Sequence, residues 1–504
     1  MFDRRTLRLF IFLCVFLGLV ATAGTFCYLE QQQCMHVPLI QEAKLQEYTA
    51  VSDLDITQLR FNGEKVAADL ENNTVYISQP QASFTHFSLL EGTLDSAYVG
   101  YHLFFLKDTV LQDIPSAVES GTPLTLIITH GDAYQSVNVV ISPLAILRLD
   151  GEKTHEDDEK RAVFTGTAAL FAGLDPATGG YTTTTTPVQW HIRGNSTASQ
   201  DKTPWKLSLK NREGENKDLD LLGLGADDDW VLNSLTMDDT RIREKLFMDL
   251  WNTIAAETDY NYKMSTGEYV EVVINGNYMG LFLLQRRLDA KYLELEEEDV
   301  LLKVTNYQAA TAQEAYEFVT PEVNTDIIYG IMQGVFEKQD SSGYPLYNVI
   351  DVNLLLQLAN ARDNYSLKNM YHVLKKTDSG YTHYLLPWDT DQSFGLVWKN
   401  GGFAYDYEIA LNEFGTRMET SALKNIYPEY PQAAASRWQQ LRKTTLSEDN
   451  ILSHIDALYN GLTKSGALTR DVSVWSNRYE GADTVAMLKR FVSDRLLVLD
   501  NYYQ

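Results

Sequence analysis

PWDTDQSFG, Pro387 to Gly395, sets Asp389 and Asp391 one residue apart, after a rigid Pro-Trp and ahead of Ser-Phe-Gly. The preceding stretch, Tyr381 to Leu386, has the composition of an apolar strand, so the acids fall where a strand gives way to a loop. Asp and Gly are common in turns, and Asp caps helices. The motif alone therefore fits a capped turn as well as a site, and its neighbours have to decide.

Working back along the chain, NMYHVLKKTDSGYTHYLLPWDTD reads strand, turn, strand, with the turn at Thr377 to Gly380. In an antiparallel hairpin the start of one strand lies beside the end of the other, about 4.8 Å away. The amide of Asn369 and the carboxylates of Asp389 and Asp391 are thus expected in one small region. Upstream, DVNLLLQLANARDN reads as a buried helix capped by Asp351, and RDNYSLKN leaves it carrying Asp363 and Asn364. Asp363, Asn369, Asp389 and Asp391 converge at one end of the hairpin. Hard cations such as Mg²⁺ take oxygen donors of this kind, and a cation relieves the repulsion between crowded acids. The competing reading is a capped turn with Arg362 and Lys368 as counter-charges.

A second constellation lies in PVQWHIRGNSTASQDKTPWKLSLK. A strand ends at Arg193, a Gly-Asn-Ser-Thr loop with Asn195 and Ser196 follows, and a new strand begins near Pro204. Lys206, Ser208 and Lys210 alternate with Trp205, Leu207 and Leu209, so period two puts the lysines on one face. Loops of small and hydroxyl residues can hold anions. Lysines and such a loop on one side, with acids and an Asn on the other, match the division of labour in phosphoryl transfer.

Further out, the 504 residues are 44% hydrophobic and 11% aromatic, enough for a packed core. A net charge of −26 argues against a nucleic-acid surface, which needs cations to neutralise phosphates. Arg4, Arg5 and Arg8 precede an apolar run from Leu9 to Leu29, long enough to span a bilayer, with the arginines expected inside. ATAG resembles a signal-peptidase site after Ala23, so the body is expected to be membrane-anchored and extracytoplasmic, or secreted if the leader is cleaved. Cys14, Cys27 and Cys34 are confined to the leader region, which leaves the body without an internal disulfide. The expected division is residues 1–29 leader or anchor, 30–48 linker, 49–145 a β-sandwich-like module of short strands, and 146–504 a mixed domain, giving an α+β class. Within that domain, Asn275-Gly276 signals a type I′ hairpin turn. DDTRIREKLFMDLWNTIA reads as a helix with Asp238 or Asp239 as N-cap and Ile242, Leu246, Phe247, Leu250, Trp251 and Ile254 on one stripe. DTVAMLKRFVSDRLLVLDNYY reads as a further amphipathic helix, Thr182 to Thr186 as a loop leading into a strand, and ELEEED and HEDDEK as solvated surface.

In order, IRGNS…K.PWKLSLK, DDDWVLNSLTMDDTRIREKL, VVINGNYMGLFLLQRRLD, DNYSLKNMYHV and PWDTDQSFG resemble the CotH family of atypical, kinase-like spore-coat proteins, from about Ile146 to the C-terminus. The resemblance implies a reduced kinase-like fold and ATP- and Mg²⁺-dependent transfer to Ser or Thr of protein substrates. It implies Lys206, with Arg193 nearby, as the nucleotide-phosphate cations. Asp363 becomes the base, in a role that Asp389 or Asp391 could exchange with it, and Asn369, Asp389 and Asp391 become metal ligands. DQSFG looks like a stretched Asp-Phe-Gly segment. Two departures stand out: five residues separate Asp363 from Asn369, where kinases have four, and Arg286 in GLFLLQRR stands where the family pattern has Glu. The alternatives are a non-catalytic surface or spore-associated binding protein of the same fold, and a metal-dependent hydrolase using the same acids.

Overall fold

The computed structural model describes residues 37–504, except 62, 80–91, 95–97, 108, 110–121, 158–160, 175–180, 195–196, 261, 307–308, 339–342, 366–368, 414–427 and 477–484. The leader, its cysteines and the expected anchor lie outside the described residues. Among the described residues no helix is long and apolar enough to cross a membrane.

The N-terminal module is a seven-stranded sheet facing a three-stranded one. Alternating residues such as Phe61, Val75, Leu126, Val137 and Val139 fill the space between them. The large sheet is mixed, because Thr74–Ser78 and Leu39–Ile40 join it in parallel. Residues 37–48, expected as linker, belong to the module from Val37 onward: Val37 is buried in its core, and Leu39–Ile40 is one of its strands.

Two residues after the module's last strand, Ala145–Glu156 opens a closed seven-stranded barrel with Ala162–Leu174, Tyr181–Ile192, Trp205–Leu209, Asp229–Asn233, Asn277–Arg286 and Gly267–Ile274. Neighbours are antiparallel except at the closure, where Ala145–Glu156 runs parallel to Gly267–Ile274. Leu147, Leu170, Trp190, Leu207, Trp230 and Phe282 fill the interior. Asn275 and Gly276, with φ of 49° and 75°, form the expected tight turn. The threonine run is not a loop. Thr182 to Thr186 lie in the Tyr181–Ile192 strand, paired with Ala162–Leu174, where β-branched side chains fit a pleated surface.

The module does not hang from the barrel on a tether. Ala67, Tyr76 and Val140 from one side and Ile146, Phe171, Val273 and Tyr278 from the other form a single buried cluster. Tyr76 stacks on Tyr278 with ring centroids 4.6 Å apart, and Arg148 donates to the carbonyls of Lys65 and Val66.

Beyond the barrel, a four-stranded sheet contains the Met370–Thr377/Gly380–Pro387 hairpin and is backed by helices. The Leu346–Ala359 helix is buried nearly all round, starts earlier than expected and is not capped by Asp351. Asp351 lies inside it and forms a buried ion pair with Arg437 of the Tyr430–Leu441 helix, at 2.7 Å. The Arg243–Ala256 helix buries the whole expected stripe, but its N-cap position is Ile242. Asp238 reaches it from upstream and accepts from the backbone N–H groups of Ile242 and Arg243. In ELEEED, Asp299 is buried and paired with Lys375 rather than solvated. The class is mixed α and β throughout, and the last helix runs Val485–Tyr502.

Candidate functional site

A cleft of about 640 Å³ lies between the barrel and the hairpin sheet, lined among others by Arg193, Gly194, Glu244, Asp363, Asn369, Trp388, Asp389, Asp391, Gln392, Trp398 and Phe403. The hairpin builds its acidic wall. Register runs from Thr377 opposite Gly380 to Met370 opposite Pro387, and one step further the Trp388 N–H donates to the Asn369 carbonyl at 2.9 Å. Asn364, buried, donates its amide to the carbonyls of both Asn369 and Trp388, at 2.8 and 2.9 Å. Asp363 accepts from Gln392 Nε2 at 2.9 Å and from Asn369 Nδ2 at 3.4 Å. Asn369 and Asp389 hold φ of 52° and 54°, a left-handed conformation that costs non-glycine residues energy and persists where the surroundings over-determine it.

Charge is crowded here. Burial, then the charges of Asp389, Glu244 and Asp363, push the Asp391 carboxyl well above the usual carboxylate range. Burial, then Asp389, pushes Glu244 up to about 7, against hydrogen bonds from Thr390 and the charge of Arg193. Arg193 supplies the opposite sign, its guanidinium 5.8 Å from the Trp388 ring centroid. Of the two suggested counter-charges, Arg362 is instead paired with Glu413 at 2.6 Å, and Lys368 lies outside the described residues.

A family model for CotH kinase protein matches residues 190–499, well over half of the chain. The chain belongs to the CotH family. No curated protein matches it. The match begins at Trp190, inside the third barrel strand, and takes in every residue named above as lining the cleft.

Within this CotH domain the expected cations part company. Arg193 lines the cleft; Lys206 does not. Trp205 and Leu207 point into the barrel, so Lys206 points out, where it pairs with Asp229 at 2.9 Å. Asp229 also accepts from Ser208 and from Arg287. Burial would raise the Asp229 carboxyl, but Lys206 and these hydrogen bonds together hold it below its ordinary value. Asn195 and Ser196 lie outside the described residues, although Gly194 beside them lines the cleft. Arg286, the departure from the family pattern, is also away from the cleft and is held by Asp227 through Nε and Nη2, at 3.0 and 2.8 Å. Asp227, Asp218 and Asp228 are close enough to share an ion, but Lys291 already sits among them.

Sequence reasoning missed Glu244, Thr390 and Gln392. Glu244 did leave a signal: it falls in register with Met248, Trp251 and Ala255, all buried, so a charge lay on an apolar face. Glu244 Oε2 accepts from the Thr390 N–H at 2.8 Å and from its hydroxyl at 3.1 Å. Gln392 carried no signal that separates it from an ordinary turn residue.

Proposed function

We propose that this CotH-family chain is an ATP- and Mg²⁺-dependent protein kinase of reduced kinase-like fold that acts on Ser or Thr. The observation that carries the reading is an oxygen donor set, Asp389, Asp391 and Asn369, lining the same cleft as Arg193. The fit to a hard dication is good. Two carboxylates and an amide are donors that Mg²⁺ accepts alongside phosphate oxygens, and no His or Cys lines the cleft among the described residues. Burial and then the neighbouring carboxylates raise Asp391, and a bound cation would relieve the repulsion among those acids. Bound Mg²⁺ would neutralise charge that builds on the phosphate oxygens.

Arg193, at the end of its strand and beside the Gly194 turn, would bind the nucleotide phosphates, with Asn195 and Ser196 adding donors. Asp363, held by Gln392 and Asn369, would accept the proton of the substrate hydroxyl. The hydroxyl oxygen forms a bond to the γ-phosphorus, the bond from that phosphorus to the β,γ-bridging oxygen breaks, and ADP leaves with that electron pair. The proposal keeps the membrane-anchored, extracytoplasmic placement, which rests on Arg4, Arg5 and Arg8 ahead of the apolar run.

A second reading, a non-catalytic binding protein, draws support from the engagement of Lys206 by Asp229, which leaves Arg193 as the cation that lines the cleft among the described residues. The two readings separate in one experiment on wild type, Asp389→Asn and Asp391→Asn: labelling of Ser/Thr protein by γ-labelled ATP, with thermal melting in the presence and absence of Mg²⁺. Labelling in wild type, lost in both variants while their folds persist, supports transfer. Absence in wild type of both labelling and Mg²⁺-dependent stabilisation rules it out in favour of binding.

A further inference from the structure

Arg243 and Glu244 are adjacent in the chain, at the start of the Arg243–Ala256 helix, and both are buried. Their side chains diverge and grip the two ends of the Asp389–Phe394 loop. Glu244 Oε2 takes both donors of Thr390, the residue between the two aspartates, and so fixes the peptide plane that joins Asp389 to Thr390. Arg243 Nε donates to the Ser393 carbonyl at 3.1 Å and Nη2 to the Phe394 carbonyl at 3.4 Å and the Tyr407 hydroxyl at 3.0 Å. Its Nη1 is held by Asp238 Oδ1 at 2.6 Å, and Asp238 also caps the helix that carries both residues.

The gripped backbone is strained at both ends, with φ of 54° at Asp389 and 48° at Phe394. A non-glycine residue keeps that left-handed conformation only where its surroundings hold it, so the loop would relax without the grip. A buried ion pair with Asp238 would satisfy Arg243 as a charge; the bonds to loop carbonyls serve geometry in addition. The helix follows the barrel strand Asp229–Asn233, so the grip refers the acids to the wall that carries Arg193.

We propose that Arg243 and Glu244 are positioning residues that set the directions of the Asp389 and Asp391 carboxylates, an inference that rests on the phosphoryl-transfer reading above. In this role Glu244 works through its acceptor oxygen on Thr390. That role makes the claim testable by rescue. Glu244→Ala frees Thr390, whereas Glu244→Gln keeps an oxygen of the same reach. Arg243→Lys keeps the charge but cannot reach Asp238 and both loop carbonyls at once.

Misplacement by about 1 Å can cost on the order of 100-fold in rate. Glu244→Ala is therefore expected to lower kcat by one to two orders of magnitude with little change in KM for ATP, and Glu244→Gln to recover most of that loss. Arg243→Lys is expected to resemble Glu244→Ala. In the metal-free protein, hydrogen exchange at the Thr390 amide should be slow in wild type and Glu244→Gln and fast in Glu244→Ala. A Gln variant as impaired as the Ala variant overturns the acceptor role, and an Ala variant with wild-type kcat overturns positioning altogether. Should wild type show no transfer, the kinase reading fails by itself, and hydrogen exchange still decides: equal rates in all three proteins overturn the grip.

Discussion

Replacing Arg193 and Lys206 by Met, one at a time, asks which cation serves the nucleotide. Both residues sit at the same end of one strand pair, and the resemblance to kinases points first to Lys206. The structure puts Arg193 on the cleft wall and Lys206 on Asp229, with side chains 27% and 15% exposed in that pair. A hydrogen bond to a charged group contributes about 1.5–3 kcal/mol, which at about 1.4 kcal/mol per decade is roughly ten- to a hundredfold in kcat/KM. Arg193→Met is expected to lose that much, since Met keeps length over the Trp388 ring but offers no donor. A partly exposed ion pair is worth about 0.2–1 kcal/mol of stability, and Asp229 keeps Ser208 and Arg287 when Lys206 is gone. Lys206→Met should therefore stay within about threefold of wild type. The assay is steady-state transfer from γ-labelled ATP, with melting temperatures as a control for folding. Transfer abolished in Lys206→Met but intact in Arg193→Met would refute the reasoning, because it would require Lys206 to leave Asp229 for the cleft.

Three further outcomes follow from the packing. Asp351→Ala leaves the buried Arg437 guanidinium without its carboxylate, and removing one partner of such a pair costs about 3–5 kcal/mol; urea unfolding that shows less than about 1 kcal/mol would contradict a buried pair. His372 Nδ1 and His383 Nε2 share a hydrogen bond at 2.8 Å, and burial takes His372 down to about 3 and His383 well below its ordinary value. Both imidazoles are neutral in the fold but take up protons near pH 6.5 when unfolded, so their contribution to stability falls as pH drops below that value, by up to about 1.4 kcal/mol per unit for each. Glu244 and Asp391, both raised, act with the opposite sign, so the measurement is a difference: between about pH 6.5 and 4.5, stability of His372→Gln should depend on pH by about one proton less steeply toward acid than wild type, and parallel curves would show that His372 does not titrate this way. Finally, a fragment of residues 146–504 would expose Ile146, Phe171, Val273 and Tyr278 at the seam, so it should melt below the full chain and bind hydrophobic dye; equal melting would show that the module is dispensable to the fold.

How much of this was legible follows from the range of each interaction. The hairpin argument worked because its geometry is local: the Thr377–Gly380 turn sets the register, and the register carries Asn369 to Trp388 without further information. Asn275-Gly276 and the apolar stripe of the 243–256 helix were readable for the same reason. Asp351 and the threonine run were misread where a local rule met a tertiary one. An Asp ahead of apolar residues resembles a cap, but Pro345 starts that helix and Asp351 answers an arginine 86 residues away. Five threonines resemble a loop until a neighbouring strand pairs with them, after which β-branching favours the sheet. The lysine strand marks the limit most clearly. Period two put Lys206 on the face opposite Trp205 and Leu207, but in a closed barrel that face turns outward all the way round, and only one sector of it borders the cleft. Which sector that is depends on the neighbouring strand that brings Asp229 and on where the hairpin sheet, more than 160 residues on, comes to rest. The Arg243–Glu244 grip is of the same kind. Its two residues are adjacent, yet their partners, Thr390 and Ser393, lie about 150 residues on, so the pattern that aims the acids exists only once both walls of the cleft are in place.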